Sequence, residues 1–227
     1  MSTSNGFHKV TTREPCHMAY VIFSMQRSGT TTLCRDMRRL KMNCMFELFN
    51  WGKNNAGYKW GNLLNVSDTQ AMRSPMQYID RVMRAENATR QVGNTIPRIH
   101  STQGPTAAQC MSGFKLFPHQ AIRPNIAAGL TTTCIIYRRR NVSAQYLSWK
   151  RAITYGGNCW GANPYAQRYC NNTRPERIDS DFPAFVRERT MWYIEVEKAC
   201  VGKTVVYLTM EDNLKHTRNL TKLVNLL

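Results

Sequence analysis

The apolar positions of this chain fall into short runs and helical stripes that alternate. Tyr20 to Phe23 is an apolar run containing Val and Ile, and it predicts a buried strand. Leu33, Met37 and Leu40 then recur at helical spacing, and Met42 to Phe46 predicts a second strand after a very short link. Strand, helix and strand in that order predict a βαβ unit and a parallel sheet. Ser74-Pro75 opens a further helix, with Ser as cap and Pro at the first helical position. Its expected apolar face is Met76, Ile79, Val82 and Met83, and it fades near Asn87. Gly113 to Phe117 predicts a strand ended by Pro118. Thr131 to Tyr137, largely β-branched or apolar, predicts a central strand. Asn141 to Ile153 predicts a helix built on Val142, Tyr146, Trp149 and Ile153. Phe182 to Cys200 predicts a longer helix with Phe185, Trp192, Val196 and Ala199 on one face and Gly202 past its end. Thr204 to Leu208 predicts a last strand, and Leu220, Leu223 and Leu227 the apolar side of a short helix. The expected class is α/β, three-layer, with a central parallel sheet.

The stretches between are less regular. Trp51 to Gly61 is rich in aromatic, Asn and Gly residues and predicts a loop. That loop either lines a site for a polar ring or folds its aromatics onto the core. Gln91 to Gln109 has no clear period and is expected to be mobile. Thr154 to Ser180 predicts loop; Trp160, Tyr165, Tyr169, Arg168, Arg174 and Arg177 are open candidates there for ligand contacts.

Length bounds the organisation. The 227 residues suffice for one sizeable core and not comfortably two domains. Residues 1–18 are polar and are expected to form a flexible leader, with 19–227 a single domain. No apolar stretch is long enough to span a membrane. The eight cysteines contain no C-x-x-C pair, which disfavours a zinc site. Cys34, Cys134 and Cys200 lie in or beside apolar patterns and read as buried thiols, while Cys159 and Cys170 flank a loop and would bridge only in an oxidising setting. A reducing, cytoplasmic location is the expectation.

Charge narrows the partners. The formal net charge is +17, a bias toward anions. The basic residues are scattered, with short clusters at Arg35–Lys41 and Arg138–Arg140, and form no long arm, so a nucleic-acid tail is disfavoured. Two stretches offer anion sites instead. Ser24 to Thr32 joins the first strand to the first helix through a turn containing Gly29, so free backbone N–H groups point at whatever lies there. Arg27 adds a cationic fork, and Ser28, Thr30, Thr31 and Thr32 add hydroxyls. The plain alternative is a turn and a helix cap. The pattern G-x-x-x-x-G-K-[ST] is absent. The second stretch is Arg138–Arg140, where a strand runs straight into a helix. Three further residues are candidates for chemistry. Glu47 follows the second strand, at the end of a parallel sheet where ligands bind, with Phe46 and Leu48 as apolar company suited to a general base. Lys115 lies inside a strand and is either an edge residue or a cleft cation. His119, just past that strand, is a second candidate base or a contact to the acceptor or transferring group, or a plain surface histidine.

Arg27-Ser28-Gly29-Thr30-Thr31 after a first strand resembles the 5′-phosphosulfate loop of sulfotransferases that use 3′-phosphoadenosine 5′-phosphosulfate (PAPS). Arg140 and Ser148 match the Arg-x(7)-Ser pattern that holds the 3′-phosphate in that family. The Glu47-Leu-Phe-Asn run and the Gly113-Phe-Lys-Leu strand are similar to those of bacterial-type carbohydrate sulfotransferases of the trehalose sulfotransferase kind. The resemblance implies a P-loop-like sulfotransferase fold. It places the 5′-phosphosulfate on the backbone of Ser28–Thr31 and the hydroxyls of Thr30 and Thr31, and Arg27 beside the sulfuryl group. Arg140 and Ser148 take the 3′-phosphate, and Glu47 deprotonates an acceptor hydroxyl, or in second place an amine. The product nucleotide is 3′-phosphoadenosine 5′-phosphate (PAP), and no metal is required. Glu211-Asp212-Asn213-Leu214 is similar to the acidic run after a late strand in that family, with a role in ordering loops. The chain departs from many cytosolic members in carrying Gln26-Arg27 where they have Pro-Lys. The acceptor class implied is a carbohydrate or small molecule. The alternatives are an ATP-dependent small-molecule kinase of P-loop-like fold and a basic nucleic-acid-binding protein without catalysis.

Overall fold

A central strand buried on both faces organises the chain. The computed structural model describes residues 17–40, 42–52, 55–92, 111–155 and 177–215. Strand β1 (His17–Ser24) sits between β3 (Met111–Leu116) and β4 (Thr133–Arg138), with β2 (Asn43–Cys44) beyond β3 and β5 (Thr204–Thr209) beyond β4. All four pairings are parallel. Ile22 lies opposite Lys115 on one side and Ile135 on the other. A continuous apolar run suits such a strand, because both its faces are covered.

Alternate side chains of β1 feed two cores. Val21 and Phe23 pack into the larger one, under α2 (Ala56–Leu64), α3 (Asp68–Arg73), α4 (Pro75–Val92), α5 (Pro124–Gly129), α6 (Val142–Tyr155) and α7 (Phe182–Ala199). Tyr20 and Ile22 pack into the smaller one, under α1 (Thr30–Arg39), with Met210 of α8 (Met210–Lys215) against it. Helices therefore cover both faces of a parallel sheet, the three-layer α/β arrangement expected. Among the described residues no helix is long and apolar enough to cross a membrane.

Several expectations need correction. His17 and Met18, the end of the expected 1–18 leader, belong to β1; the rest of the leader lies outside the described residues. Regular pairing in β2 covers only Asn43 and Cys44 of the expected Met42–Phe46. Ladder bonds continue from Met45 N to Gly113 O (2.7 Å) and from Lys115 N to Phe46 O (2.7 Å). There the backbone of Phe46 turns left-handed (φ 58°) and the strand ends. The expected Trp51–Gly61 loop contains helix α2 instead. Its glycines serve close packing: a Cβ on Gly57 would lie 2.6 Å from Leu48 O, and one on Gly61 2.0 Å from the Trp51 ring. Helix α3, opened by a Ser67–Gln70 capping box, and helix α5 were not foreseen. In α4, Tyr78 takes the buried place expected of Met76, which is exposed. In α6, Ile153 is exposed while Tyr146 is fully buried. The Gln91–Gln109 segment lies almost wholly outside the described residues, as do most of Thr154–Ser180 and all of Leu220–Leu227.

The expected buried thiols are buried, but as half-cystines. Cys34 of α1 is joined to Cys44 of β2 (Cα–Cα 5.4 Å), and Cys134 of β4 to Cys200 at the end of α7 (Cα–Cα 6.2 Å). Each residue was read from its own apolar surroundings, whereas the pairing follows from elements brought side by side. Cys159 and Cys170 lie outside the described residues.

The register of β1 on β3 makes a stability prediction. Gly113 has no Cβ because the Tyr20 ring fills the space, 2.1 Å from where a Cβ would be. Tyr20 is fully buried and donates its hydroxyl to Asn43 O at 2.8 Å, so it has little freedom to move. Gly113→Ala is expected to cost about 1–3 kcal/mol or more through overpacking. Gly129, with nothing within 4 Å of its Cβ position, is expected to accept Ala with a change within about 1 kcal/mol, toward stabilisation. Urea midpoints of the two variants should separate clearly; equal midpoints contradict the register.

Candidate functional site

The two stretches expected to bind anions meet at the place where the order of strands favours a ligand. The chain leaves β1 toward β2 on one side of the sheet, and leaves β4 toward β5 on the other. The carboxyl ends of β1 and β4 therefore flank a topological switch point, where a crevice opens in parallel sheets. The turn Met25–Gly29 leaves one strand and Arg138–Asn141 leaves the other. They touch directly. Arg27 Nε donates to Ser148 Oγ at 3.0 Å, and Arg139 Nη1 donates to Arg27 O at 3.4 Å.

The shape of the turn comes from two left-handed residues, Arg27 (φ 64°) and Gly29 (φ 79°). Glycine adopts that conformation freely; arginine does so only where the surroundings hold it. The holding group is Gln145, fully buried on α6. Its Nε2 donates to Gln26 O at 2.9 Å and to Ser28 Oγ at 2.7 Å. Its amide oxygen accepts from Arg189 Nε of α7 at 3.2 Å, and Arg189 Nη2 donates to Arg139 O at 2.9 Å. Tyr193 of α7 completes the frame: its hydroxyl accepts from Met25 N at 3.3 Å and donates to Tyr137 O at 2.9 Å.

Helix α1 starts at this turn with Gly29 as its cap and no capping side chain. Its first N–H groups have no carbonyl within the helix, as at every helix start. Ser28 and Thr30 are buried, whereas Thr31 and Thr32 are exposed. Burial lowers the pKa of the Arg27 guanidinium, and the nearby charges of Arg139 and Arg151 lower it further. Among the described residues no carboxylate forms an ion pair with any of these three arginines. Like charges gathered beside open N–H groups make a cradle suited to a phosphate or phosphosulfate.

Arg140 is placed differently from Ser148. Its Nη2 lies 2.8 and 2.6 Å from the two carboxylate oxygens of Asp212, and Thr209 Oγ1 donates to Asp212 Oδ2 at 2.6 Å. Its backbone N–H and that of Asn141 donate to the two oxygens of Glu211 at 3.0 and 3.2 Å. Burial pushes the Glu211 carboxyl up, but the backbone N–H bonds outweigh it and hold it below the usual range. The acidic run thus orders the β4–α6 junction and sits at the start of α6. Arg138 pairs with Glu197 of α7 and lies over the Tyr193 ring.

Glu47, just past β2, and Lys115 of β3 form a pair. Lys115 lies in an interior strand and is 2 % exposed, so it is not an edge residue. Its Nζ is 3.3 Å from Glu47 Oε1, and 5.1 and 5.2 Å from the ring centroids of Phe46 and Phe117. Asn50 Nδ2 donates to Glu47 Oε2 at 2.7 Å. Burial pushes the Lys115 ammonium down, Glu47 pulls it back up, and Arg38 adds to the lowering. His119 lies in the turn after β3 with φ 64°, its side chain exposed and its Nε2 2.8 Å from Glu188 of α7. Its partner is thus on a helix, not in the turn or the Glu47–Lys115 pair.

Gln145, Arg151, Arg189 and Tyr193 escaped the sequence reading. The first two carried a signal. Gln145, Ser148 and Arg151 recur every third residue, a polar stripe beside the apolar Val142–Tyr146–Trp149 face. Arg189 carried none, because its role follows from how α7 packs. Trp160, Tyr165, Tyr169, Arg168 and Arg174 lie outside the described residues.

The Glu47–Lys115 pair has a testable electrostatic consequence. The folded-state pKa of Lys115 lies below its ordinary value. Between those two values the unfolded chain holds one more proton than the folded one, so on this account stability rises with pH. Glu47→Gln removes the charge that limits the depression and leaves an unpaired buried ammonium. The variant is expected to lose about 2 kcal/mol near neutral pH, below the usual cost of breaking a buried pair because Glu47 is partly exposed. That deficit against the parent should shrink as pH rises and Lys115 sheds its proton. Urea unfolding of both proteins from neutral to alkaline pH reads this; a deficit that stays constant shows that the two groups are not coupled.

Neither a scan against protein-family models nor a search of curated proteins finds a match to this chain.

Proposed function

We propose that the chain is a PAPS-dependent sulfotransferase acting on a hydroxyl, in second place an amine, of a carbohydrate or small-molecule acceptor. The observation that carries this reading is the bond from Arg27 to Ser148. It joins the turn suited to a phosphosulfate to the helix suited to a second phosphate, at the switch point of a parallel sheet. A nucleotide with a negative group at each end needs two such places side by side.

PAPS supplies an activated sulfuryl group on a phosphate that leaves readily. The residues of the turn would do the rest. The N–H groups of Ser28–Thr31 and the hydroxyls of Thr30, Thr31 and Thr32 would hold the phosphosulfate, with Gly29 allowing the close approach. Arg27 would lie beside the sulfuryl oxygens and meet the charge that builds there and on the leaving phosphate. Glu47 would take the proton of the acceptor as the new oxygen–sulfur bond forms and the sulfur–phosphate oxygen bond breaks. Lys115 would keep that carboxylate oriented before the acceptor arrives. His119, bound to Glu188, is the next candidate base. Ser148, with a neighbouring basic side chain, would serve the 3′-phosphate.

The setting follows from the cysteines. The Cys34–Cys44 and Cys134–Cys200 bonds favour an oxidising compartment over the cytoplasm expected from sequence, since such bonds persist where thiols are not kept reduced.

Calorimetry with PAP and with ATP and Mg²⁺ tests the reading. PAP is expected to bind and ATP with Mg²⁺ to bind more weakly; the reverse order favours a kinase. Binding of nucleic acid that falls steeply with salt, without PAP binding, favours the nucleic-acid alternative. With labelled PAPS and a panel of sugars and phenols, Glu47→Gln should keep PAP affinity within about threefold and slow transfer by about 10²–10⁴. Unchanged turnover moves the base to His119.

A further inference from the structure

Given the sulfotransferase reading, the structure leaves one choice to make: which cation meets the second phosphate. We propose that Arg151, one turn beyond Ser148 on the polar stripe of α6, binds the 3′-phosphate of the nucleotide, and that Arg140 serves instead as a structural tie.

Two independent sets of contacts point there. The first concerns Arg140. Its guanidinium is engaged by both oxygens of Asp212, which is itself fixed by Thr209. The N–H groups of Arg140 and Asn141 are engaged by Glu211. The start of α6, which would otherwise attract an anion, already has the chain's own carboxylate on it. Recruiting Arg140 Nη2 to a ligand would take it from both oxygens of Asp212 and leave that carboxylate without its cation.

The second concerns the stripe. Gln145, Ser148 and Arg151 follow one another along α6, each about 4.5 Å further along the axis and about 60° around it from the last. The first two touch the turn, through Gln145 to Ser28 and Ser148 to Arg27. Arg151 is the next step of that winding stripe, near enough for its charge to act on Arg27. Its Nε is buried and has no hydrogen-bond partner among the described residues. A buried guanidinium nitrogen left without an acceptor is costly, and it becomes satisfied when an anion lies beside it. Arg27 and Arg139 are close enough for their charges and that of Arg151 to act on one another, with no carboxylate paired to any of the three among the described residues. An anion next to Ser148 would relieve all of these conditions.

The test compares PAP with adenosine 5′-monophosphate, which lacks the 3′-phosphate, by calorimetry on the full chain. The parent protein should bind PAP more tightly. Arg151→Ala should reduce that preference by about tenfold or more and leave the affinity for the monophosphate within about threefold. Arg151→Lys should restore part of the preference, because it restores the charge without the fork. Arg140→Ala should leave the preference unchanged. Thermal midpoints establish folding, and Arg151→Gln replaces the alanine variant if that one does not fold. Equal losses for both nucleotides, or a preference lost in Arg140→Ala and kept in Arg151→Ala, overturn the assignment while leaving the sulfotransferase reading intact. A parent protein that binds neither nucleotide overturns both.

Discussion

A single buried amide, that of Gln145, holds the site together. Its nitrogen binds the turn leaving β1 and its oxygen binds Arg189, which in turn binds the segment leaving β4. Each of these bonds alone contributes about 1 kcal/mol net. Their joint effect is larger, because a buried network that loses one member leaves the others unsatisfied. The left-handed backbone of Arg27 depends on this frame. Without it the arginine would relax and its bond to Ser148 would go with it. The frame is also why two stretches so far apart in sequence behave as one site.

The frame has an electrostatic counterpart. Arg27, Arg139, Arg151 and Arg189 all converge on it, and burial lowers the pKa of both Arg27 and Arg189. Charge of one sign collected in a partly dry crevice weakens the fold and strengthens its hold on an anion. On the edge-strand side of the frame Glu211 and Asp212 do the reverse, neutralising Arg140 and fixing the start of α6. Balanced and unbalanced cations thus stand a few residues apart on the same junction. That contrast separates the tie from the cradle, and it is invisible in a run of three arginines.

What could be read from sequence follows the same logic. The runs Tyr20–Phe23 and Thr131–Tyr137 announced interior strands, because a strand buried on both faces has no polar side to mask it. Both anion stretches were legible because strand ends and helix starts adjoin in the chain. Glu47 and Lys115 were found one by one; their pairing needed the β2–β3 register. Trp51–Gly61 was misread because Gly57 and Gly61 look like turn residues when they are in fact contact points of a helix. The half-cystines were misread for the same kind of reason, since apolar surroundings say that a sulfur is buried and not what it faces. Arg140 was matched to Ser148 by spacing along the chain, while tertiary partners on β5 and α8 decide where its side chain goes.

The parallel sheet brings the pair and the turn to one edge, although among the described residues no hydrogen bond links them. Every strand ends at the same edge, so β2, β3, β1 and β4 deliver Glu47, the turn after Lys115, the phosphate-suited turn and the basic junction to one side of the molecule. Neighbouring strands are about 4.8 Å apart, which puts β3 about 10 Å from β4 across β1. A nucleotide spanning the β1 and β4 ends would therefore present its transferable group toward β3, where the Glu47–Lys115 pair stands. An antiparallel sheet would send alternate strand ends to opposite edges and separate Glu47 from Arg27. The direction of the strands, settled by helical crossovers between apolar runs, is thus a chemical requirement of the site as much as a feature of the fold.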